Sequence, residues 1–468
     1  MLVMKFGGSS LVDAARIRRV AELVRDTAKR EGAEGAACPV VVVSAMGGVT
    51  DRLFALARTA LTGRSGRQEA LEQVEELRRH HMAALDTLGP DPSAAAALDR
   101  YIDELRDIVI GVSLLGELSP RSLDAIAGYG EKLSAQLCAA ALRAQGTPAE
   151  AISAEDVIVT DAMFGNAVPD MDATARQAAM RVIPPARAGV VPVVTGYIGA
   201  TRDGVTTTLG RNGSDYSGAI MGAAVGAEEV WIWTDVDGVL SADPRLVPSA
   251  RPLPELSYAE AAELAYFGSK VIHPRTIVPA VAAGVPIRIK NTFNPEHPGT
   301  LITAASAAGP GAVKAVTVIR DLALITVEGL GMLGVPGIAA RTFGAMAMAG
   351  ANVLMFSQAS SESNIALVIA RREVQAAVDA LDEAFAFELR RHEVDAVRAQ
   401  VGVAIVTVVG AGMRGTPGVS GRLFGALGAA GVNVIAIAQG SSEIGISCVV
   451  REDVVEDALR AAHGEFVE

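Results

Sequence analysis

Residues 1–303 alternate short apolar runs with longer segments in which apolar residues recur at helical spacing. The apolar runs predict five strands, at Val3–Phe6, Val40–Ser44, Val190–Thr195, Val230–Thr234 and Pro286–Lys290. Several runs are apolar throughout, which is typical of strands that are covered on both faces. The helical patterns between them lie at Leu11–Arg30, Ser119–Gln145, Ser214–Ala224 and Ser257–Phe267. This alternation predicts an α/β domain with a mostly parallel sheet and helices on both faces.

Two features refine the helices of this domain. The segment from about Gly63 to Ile110 is rich in Glu, Arg and Ala at helical spacing, and it predicts a helical excursion from the sheet. Ser119 is followed by Pro120, the order expected of an N-cap residue and the first helical position. We therefore expect a helix to begin at Ser119, and another to be capped by Ser214.

Residues 303–311 are small, polar and turn-forming, so we place a domain boundary there. Beyond the boundary the sequence repeats itself with a constant offset of 81 residues, as in the pairs Gly329 and Gly410, Asn352 and Asn433, and Gln358 and Gln439. Such a period suits a duplicated small domain. Each copy predicts an α+β module with strands, a Gly/Pro loop and two helices, at residues 313–390 and 394–468.

Each module includes a leading β segment, Val313–Ile319 in the first copy and Val394–Ala399 in the second. These segments could pair within their own copy or with the other copy. The sequence alone leaves both arrangements open.

Composition and charge narrow the function. The formal net charge of −12 argues against nucleic acid as a partner, because phosphate backbones attract basic surfaces. No run of 18 uncharged apolar residues predicts a membrane span, and the first residues lack the pattern of a signal peptide. The three cysteines are far apart and predict neither disulfides nor a metal site. We expect a cytoplasmic protein.

Candidate chemistry lies in the turns that follow the strands. Only six of the 41 basic residues are lysines: Lys5, Lys29, Lys132, Lys270, Lys290 and Lys314. Lys5 opens the turn Lys5–Ser10, in which Gly7 and Gly8 would let backbone N–H groups approach an anion. A second Gly-Gly turn follows the next strand, at Ser44–Thr50. Tight packing between strand and helix would also explain such glycines, but two turns at one sheet edge favour a phosphate site. No Walker A motif is present, and no G-x-G-x-x-G Rossmann fingerprint follows a strand and is itself followed by the expected downstream acidic residue.

Two further loops carry charged residues. Arg211 and Asp215 flank a helix start four residues apart, so Arg211 could grip a carboxylate and Asp215 an ammonium. The alternative is a structural pair between these two residues. The loop Trp233–Arg245 leaves an apolar strand through Asp-Gly and Asp-Pro turns, and it could hold a nucleotide through Arg245.

Together these motifs resemble the successive signatures of aspartate kinases. The signatures are Lys5–Ser10, Gly210–Tyr216, Thr234–Arg245 and Phe267–Pro274, and the duplicated C-terminal region resembles tandem ACT modules. The resemblance implies an amino-acid-kinase fold followed by two ferredoxin-like ACT modules, with ATP and Mg²⁺ as cofactors and L-aspartate as substrate. Since the sequence ends directly after the second module, we expect no fused homoserine dehydrogenase.

The resemblance also implies roles for particular residues. It implies Lys5, Asp215 and Arg211 as catalytic residues, Thr50, Glu131 and Arg211 as aspartate contacts, and Gly7, Gly8, Ser9, Thr234, Asp235, Arg245 and Lys270 as ATP contacts. An aspartate carboxylate is already ionised at neutral pH, so the reaction needs no general base. Catalysis would depend on cations and backbone amides, and Mg²⁺ would be held mainly by phosphates without a dedicated protein site.

ACT modules resemble amino-acid sensors that work as pairs within a homodimer or a higher homo-oligomer. The resemblance implies effector contacts at Met332, Asn352, Gln358, Asn433 and Gln439. Lysine-sensing relatives tend to carry an acidic residue at a position that falls here on Phe356. We therefore predict threonine rather than lysine as the feedback effector.

Two other functions remain as alternatives. One is a different amino acid kinase of the same fold, and the other is an inactive amino-acid-binding regulator. The presence of Lys5, Asp215 and Lys270 argues against the inactive regulator.

Overall fold

The computed structural model describes residues 1–33, 35–267, 274–304, 312–333, 335–359 and 363–467. These residues form two compact units. The first unit contains residues 1–239, 254–258 and 274–304, and the second contains residues 240–253, 259–267 and those after residue 311. The predicted domain limits of 1–303, 313–390 and 394–468 are simpler than this, because two short segments before residue 303 belong to the second unit.

Helices make up much of the first 304 residues. In chain order they are α1 (Ala14–Ala33), α2 (Val49–Leu61), α3 (Arg64–Leu88), α4 (Pro92–Leu115), α5 (Pro120–Ala127), α6 (Tyr129–Ala144), α7 (Met171–Arg181), α8 (Ile183–Arg187), α9 (Gly213–Val225), α10 (Tyr258–Tyr266) and α11 (Pro274–Ala283). The predicted helix at 119–145 is two helices, which meet at Gly128. Its predicted start is confirmed, since the hydroxyl of Ser119 accepts a hydrogen bond from the backbone of Ser122 at 3.2 Å.

The strands of the same region form a large sheet and a small one. They are β1 (Leu2–Phe6), β2 (Val40–Val43), β3 (Ala149–Ile152), β4 (Val159–Thr160), β5 (Val191–Thr195), β6 (Ile198–Thr201), β7 (Thr206–Thr208), β8 (Glu229–Thr234), β9 (Glu255–Ser257), β10 (Ile287–Asn291) and β11 (Thr300–Thr303). The large sheet has the order β3-β5-β2-β1-β8-β10-β11-β9, and the small sheet has the order β4-β6-β7. In the large sheet only the pairing of β10 with β11 is antiparallel, so the predicted mostly parallel sheet is confirmed.

Successive side chains of β1 point to opposite faces of the sheet, one toward the main core and the other toward α9. Met4 and Phe6 are fully buried in the main core, which also includes Leu77 of α3 and Leu98 of α4. The predicted helical excursion therefore packs into the core of the first unit. Lys5 faces the opposite side, toward α9, where a Cβ atom added at Gly218 would lie 3.1 Å from Lys5 Cβ.

The second unit is built around a six-stranded antiparallel sheet. Its strands are β12 (Ala315–Glu328), β13 (Met355–Gln358), β14 (Asn364–Ala370), β15 (Ala396–Val409), β16 (Ala436–Gln439) and β17 (Gly445–Arg451). They have the order β13-β14-β12-β15-β17-β16. The helices after α11 are α12 (Ile338–Met348), α13 (Val374–Ala384), α14 (Ala386–Arg390), α15 (Val419–Ala429) and α16 (Val455–Phe466).

The two copies of the repeat exchange their leading segments. The first half of β12 pairs with the second half of β15, as Ala315 with Val409 and Ile319 with Ile405. The leading residues follow the same exchange in the core. Val313 packs with Val406 of the second copy, whereas Val394 packs with residues of the first copy, including Ile325. The two modules are therefore interleaved, which the sequence had left open.

Among the residues that the structure describes, no helix is both long and apolar enough to span a membrane.

Candidate active site

A buried ion pair stands at the end of β1. Lys5 Nζ contacts Asp215 Oδ1, and the two side chains are 6% and 17% exposed. Lys5 is brought there by the alternation of β1, and Asp215 by its place in the first turn of α9. The pair joins two residues that the sequence analysis proposed as catalytic.

The space beside the Lys5 ammonium depends on glycine. A Cβ atom added at Gly7 would lie 3.4 Å from Lys5 Nζ, and one added at Gly8 would lie 3.5 Å from the carbonyl oxygen of Ala45. A side chain at Gly7 would therefore occupy the volume next to the ammonium. The turn is held from outside by Arg16, whose Nη1 donates to the carbonyl oxygen of Ser9 at 2.5 Å.

The second Gly-Gly turn connects β2 to α2. Gly48 has a φ of 78° and precedes Val49, the first residue of α2, so Thr50 lies in the first turn of that helix. Ser44 at the end of β2 donates through its hydroxyl to the hydroxyl of Ser214 at 2.7 Å. This bond attaches the turn to α9, next to Asp215.

Glu131 of α6 places a second carboxyl near this ion pair. The side chain is buried, and Oε1 accepts a hydrogen bond from the backbone N–H of Ala45 at 3.1 Å. Oε2 is buried and has no hydrogen-bond partner within the described part of the chain. Burial raises the pKa of Glu131 to about 8, against the opposing effects of the Ala45 N–H and the Lys5 charge. An unsatisfied buried oxygen of this kind is suited to a polar ligand.

The loop before α9 holds Arg211 on the surface. Asn212 takes a left-handed conformation with a φ of 56°, which Asn tolerates better than most residues. The alternative of a structural pair between Arg211 and Asp215 is wrong, because Asp215 pairs with Lys5 and Arg211 forms no ion pair with any residue that the structure describes. The predicted cap at Ser214 is also wrong. Asn212 occupies the cap position, and the Ser214 hydroxyl bonds to Ser44 instead.

The exit of β8 forms a second loop at the same edge of the sheet. Thr234 Oγ1 accepts from the backbone of Val236 at 3.2 Å, and Asp235 is exposed. Asp237 Oδ1 accepts from the side-chain amides of Asn291 at 2.8 Å and Asn294 at 3.0 Å. The loop is thus fixed by the end of β10, which lies beside β8 in the sheet.

The other two predicted nucleotide contacts are Arg245 and Lys270. Arg245 belongs to the second unit, where it is exposed and paired with Asp243, the Nε to Oδ1 distance being 3.0 Å. Lys270 lies outside the described residues. The structure brings together Lys5, Gly7, Glu131 and Asp215, and it places Thr234 and Asp235 on a neighbouring strand.

Two residues near the site were missed by the sequence analysis. Asp124 of α5 is buried and accepts hydrogen bonds at 2.8 Å from Thr208 N, Thr208 Oγ1 and Gly165 N, so it fixes the strand that leads to Arg211. Tyr197 has a φ of 66°, a strained value for a large residue, and its backbone N–H donates to Ser217 Oγ at 2.9 Å. A carboxylate within an apolar helix was the only available signal for Asp124.

The predicted effector residues are divided between the two copies. Met332 and Gln358 line a cavity of about 350 Å³ in the first copy, with Val335 and the start of α12. Asn352 is exposed and is not among the lining residues of that cavity. The equivalent residues of the second copy, Asn433 and Gln439, are exposed.

Comparisons with known proteins agree with this architecture. Residues 1–291 match the model of the amino acid kinase family, and residues 325–385 and 406–466 each match an ACT domain model. The chain is therefore a member of the amino acid kinase family with a duplicated ACT region.

Individual relatives narrow this class. The chain is 39% identical over 99% of its length to a bifunctional aspartokinase/homoserine dehydrogenase of Arabidopsis thaliana, and it spans half the length of that relative. It is 33% identical over its full length to aspartokinase 1 of the same plant, of which it covers 80%. Structures of Escherichia coli aspartokinase III, one with aspartate and ADP and one with lysine and aspartate, match with a TM-score of 0.80 at 30% identity, covering 100% of both chains. The chain belongs to the aspartokinase family.

Proposed function

We propose that the protein transfers the γ-phosphoryl group of ATP to the side-chain carboxylate of L-aspartate, giving ADP and 4-phospho-L-aspartate. The observation that carries this proposal is the Lys5–Asp215 pair, with Gly7 beside the ammonium and the unsatisfied Glu131 carboxyl nearby. Membership of the aspartokinase family supports it, as does the binding of aspartate and ADP by the E. coli relative.

The phosphoryl transfer requires no general base from the protein. A carboxylate oxygen of aspartate attacks the γ-phosphorus, the bond from that phosphorus to the β–γ bridging oxygen breaks, and ADP leaves with the electron pair. The nucleophile is already ionised at neutral pH, with a reference pKa of about 3.9. The difficulty is the approach of two anions. Lys5 meets it by stabilising the charge that develops on the phosphoryl oxygens.

Two groups would orient the amino acid. Arg211, which is exposed and unpaired among the described residues, would hold the α-carboxylate through its planar guanidinium. Glu131 Oε2 would accept from the α-ammonium, whose charge would favour the ionised form of this carboxyl.

Mg²⁺ would act as a companion of ATP and would neutralise phosphate charge. No group of three or more His, Cys, Asp or Glu residues suited to a metal is found among the residues described. The donor set fits an ion carried mainly by phosphate oxygens, with Asp215 the nearest carboxylate to the Lys5 ammonium.

Trapping of the product tests the activity. The protein is incubated with Mg-ATP, L-aspartate and hydroxylamine, and the expected product is aspartyl hydroxamate. Parallel reactions contain L-glutamate in place of aspartate, or no ATP, and should give none. Hydroxamate from glutamate alone would favour another amino acid kinase, and the absence of hydroxamate from every acidic amino acid would favour an inactive regulator.

The first-copy cavity supports threonine as the effector. Its lining includes the apolar side chains of Met332, Val335 and Ile338, and Gln358 supplies an amide that can bond a hydroxyl. Phe356, on the same side of β13 as Gln358, is stacked edge-on against Phe343 with ring centroids 5.2 Å apart. An aromatic pair there offers no carboxylate for an ion pair with the ammonium of a lysine side chain.

Inhibition assays test this choice. Threonine should inhibit the kinase, and Gln358→Ala should weaken that inhibition about tenfold through the loss of the hydrogen bond to the threonine hydroxyl. The matched variant Gln439→Ala removes the equivalent amide of the second copy and should have the smaller effect. Inhibition by lysine alone would reverse the assignment.

The same proposal includes self-association through the ACT region. β13 and β16 are the edge strands of the six-stranded sheet and are short, four residues each. Pairing of these edges with a second copy would continue the sheet. Light scattering should give the mass of a dimer or of a larger homo-oligomer.

A further inference from the structure

The end of β10 contacts the turn that follows β1, although β8 lies between these two strands. Thr292 Oγ1 and Ser10 Oγ are 2.7 Å apart, and both side chains are fully buried. Ser10 closes the segment Gly7–Ser10, called here the phosphate turn. Thr292 belongs to Asn291–Asn294, called here the β10 exit turn.

The same exit turn holds the loop after β8, Thr234–Val239, called here the nucleotide loop. The backbone N–H of Thr292 donates to the carbonyl oxygen of Thr234 at 2.9 Å. Asp237 accepts hydrogen bonds from the side-chain amides of Asn291 and Asn294, both in the exit turn. At its far end the loop is fixed independently, because Val239 N donates to Thr300 Oγ1 at 2.8 Å.

A third contact lies on the outer side. The guanidinium of Arg16, which holds the carbonyl of Ser9, lies over the ring of Phe293 at 5.0 Å. A single residue of α1 thus contacts both the phosphate turn and the β10 exit turn. The phosphate turn is connected to the exit turn on its buried side by Thr292 and on its exposed side by Phe293.

We propose that the β10 exit turn is a positioning element for the nucleotide, which sets the spacing between the phosphate turn and the nucleotide loop. This inference rests on the proposed kinase function. Thr292 and Asp237 act as positioning residues through Ser10 and Thr234, without touching the substrates. A nucleotide that spans two loops binds well only when their separation is fixed before binding. The aspartate contacts, at Glu131 and Arg211, lie on other elements and do not depend on this turn.

Substitution of Thr292 tests the proposal. Thr292→Val keeps the shape of the side chain but leaves the Ser10 hydroxyl buried without its partner. The dissociation constant for ADP, measured by calorimetry, and the KM for ATP should each rise about fivefold. The KM for aspartate and the turnover at saturating ATP should stay unchanged. Thr292→Ser restores the hydroxyl and should restore ADP binding, and Asp237→Ala should produce the same selective loss from the other side of the turn.

A matched control comes from the second unit. Thr407 Oγ1 and Ser447 Oγ form an equivalent buried hydroxyl pair at 2.8 Å. Thr407→Val should lower the melting temperature to a similar degree and leave ADP affinity unchanged. The proposal is overturned if Thr292→Val and Asp237→Ala bind ADP as the wild type does, or if they weaken ADP and aspartate equally. Wild-type protein that binds no ADP at all would instead contradict the proposed function.

Discussion

Two lysine–carboxylate ion pairs, Lys5–Asp215 of the first unit and Lys314–Glu260 of the second, differ in what surrounds them. Lys5 and Asp215 meet in the first unit beside Gly7, where a side chain in place of glycine would occupy the space next to the ammonium. Lys314 and Glu260 meet in the second unit at 3.1 Å, and Glu260 is fully buried. The second carboxyl oxygen of Glu260 accepts a hydrogen bond at 2.7 Å from the backbone N–H of Ala411, just after the end of β15.

This difference helps to distinguish a buried ion pair that serves function from one that stabilises the fold. Both oxygens of Glu260 contact protein groups, so the pair connects α10 to the ACT copies. Lys5 lies beside a volume that Gly7 keeps free of a side chain of its own. The neighbouring Glu131 carboxyl has an oxygen without a hydrogen-bond partner in the described structure. An ion pair with unsatisfied polar atoms beside it is suited to binding a substrate. A pair whose carboxylate oxygens both have protein partners is suited to stabilising the fold.

The largest expected effect is on turnover. Lys5→Met removes the ammonium while keeping most of the side-chain length, and turnover should fall about 1000-fold, equivalent to about 4 kcal/mol of transition-state stabilisation. Steady-state kinetics measures the loss, and circular dichroism should show an intact fold. Turnover within tenfold of the wild type would remove Lys5 from the catalytic role.

The matched change in the second unit should affect stability instead. Lys314→Met leaves the buried Glu260 carboxylate without its counter-charge, which should lower the free energy of unfolding by about 3 kcal/mol. Denaturant unfolding measures this change, and turnover without effector should remain at the wild-type level at a temperature where the variant is folded. A loss of turnover as large as that of Lys5→Met would end the distinction between the two pairs.

The most gradual expected effect is a pH dependence of stability that comes from Glu131. Its pKa in the folded protein is raised to about 8 from the usual 4.5, so the folded state holds a proton that the unfolded chain releases. Stability from this group is present below the lower value and is lost as the pH rises toward the higher one, by at most about 1.4 kcal/mol per pH unit. Glu131→Gln should remove this slope.

The measurement is a series of urea unfolding midpoints between about pH 5 and pH 9. The difference between Glu131→Gln and the wild type should grow across this range and level off near the top. Glu150→Gln, a substitution on the exposed surface of β3, should follow the wild-type curve. Parallel curves for wild type and Glu131→Gln would contradict a raised pKa.

Local patterns in the sequence were sufficient for much of the fold. The apolar run at residues 40–44 and the strand Val40–Val43 nearly coincide, because a strand covered on both faces has no polar position to obscure its pattern. The Ser119 cap was predictable for a similar reason, since cap and first-turn proline are neighbours in sequence. The contact between Lys5 and Asp215 joins two residues for which the family signatures imply catalytic roles, although the signatures did not predict the pairing itself.

Features that depend on distant residues could not be predicted in this way. The local sequence predicted Ser214 as a helix cap, but its hydroxyl instead accepts a hydrogen bond from Ser44, which lies 170 positions away in the sequence. Residues 240–253 follow the loop after β8 and still belong to the other unit, since Val247 and Ala242 pack in the second-copy core. The sequence pattern of α5 indicates that Asp124 is buried. It does not indicate which groups will donate hydrogen bonds to the Asp124 carboxylate.

The exchange of leading segments between the ACT copies has a consequence for the evolution of the chain. After duplication, the first copy came to include Val394 in its core, and the second copy came to include Val313. A chain truncated before residue 394 would lack part of the first copy as well as all of the second. The two modules are therefore inherited as a single piece, in which neither can be deleted or recombined without damage to the other, while point substitutions can still let their ligand loops diverge.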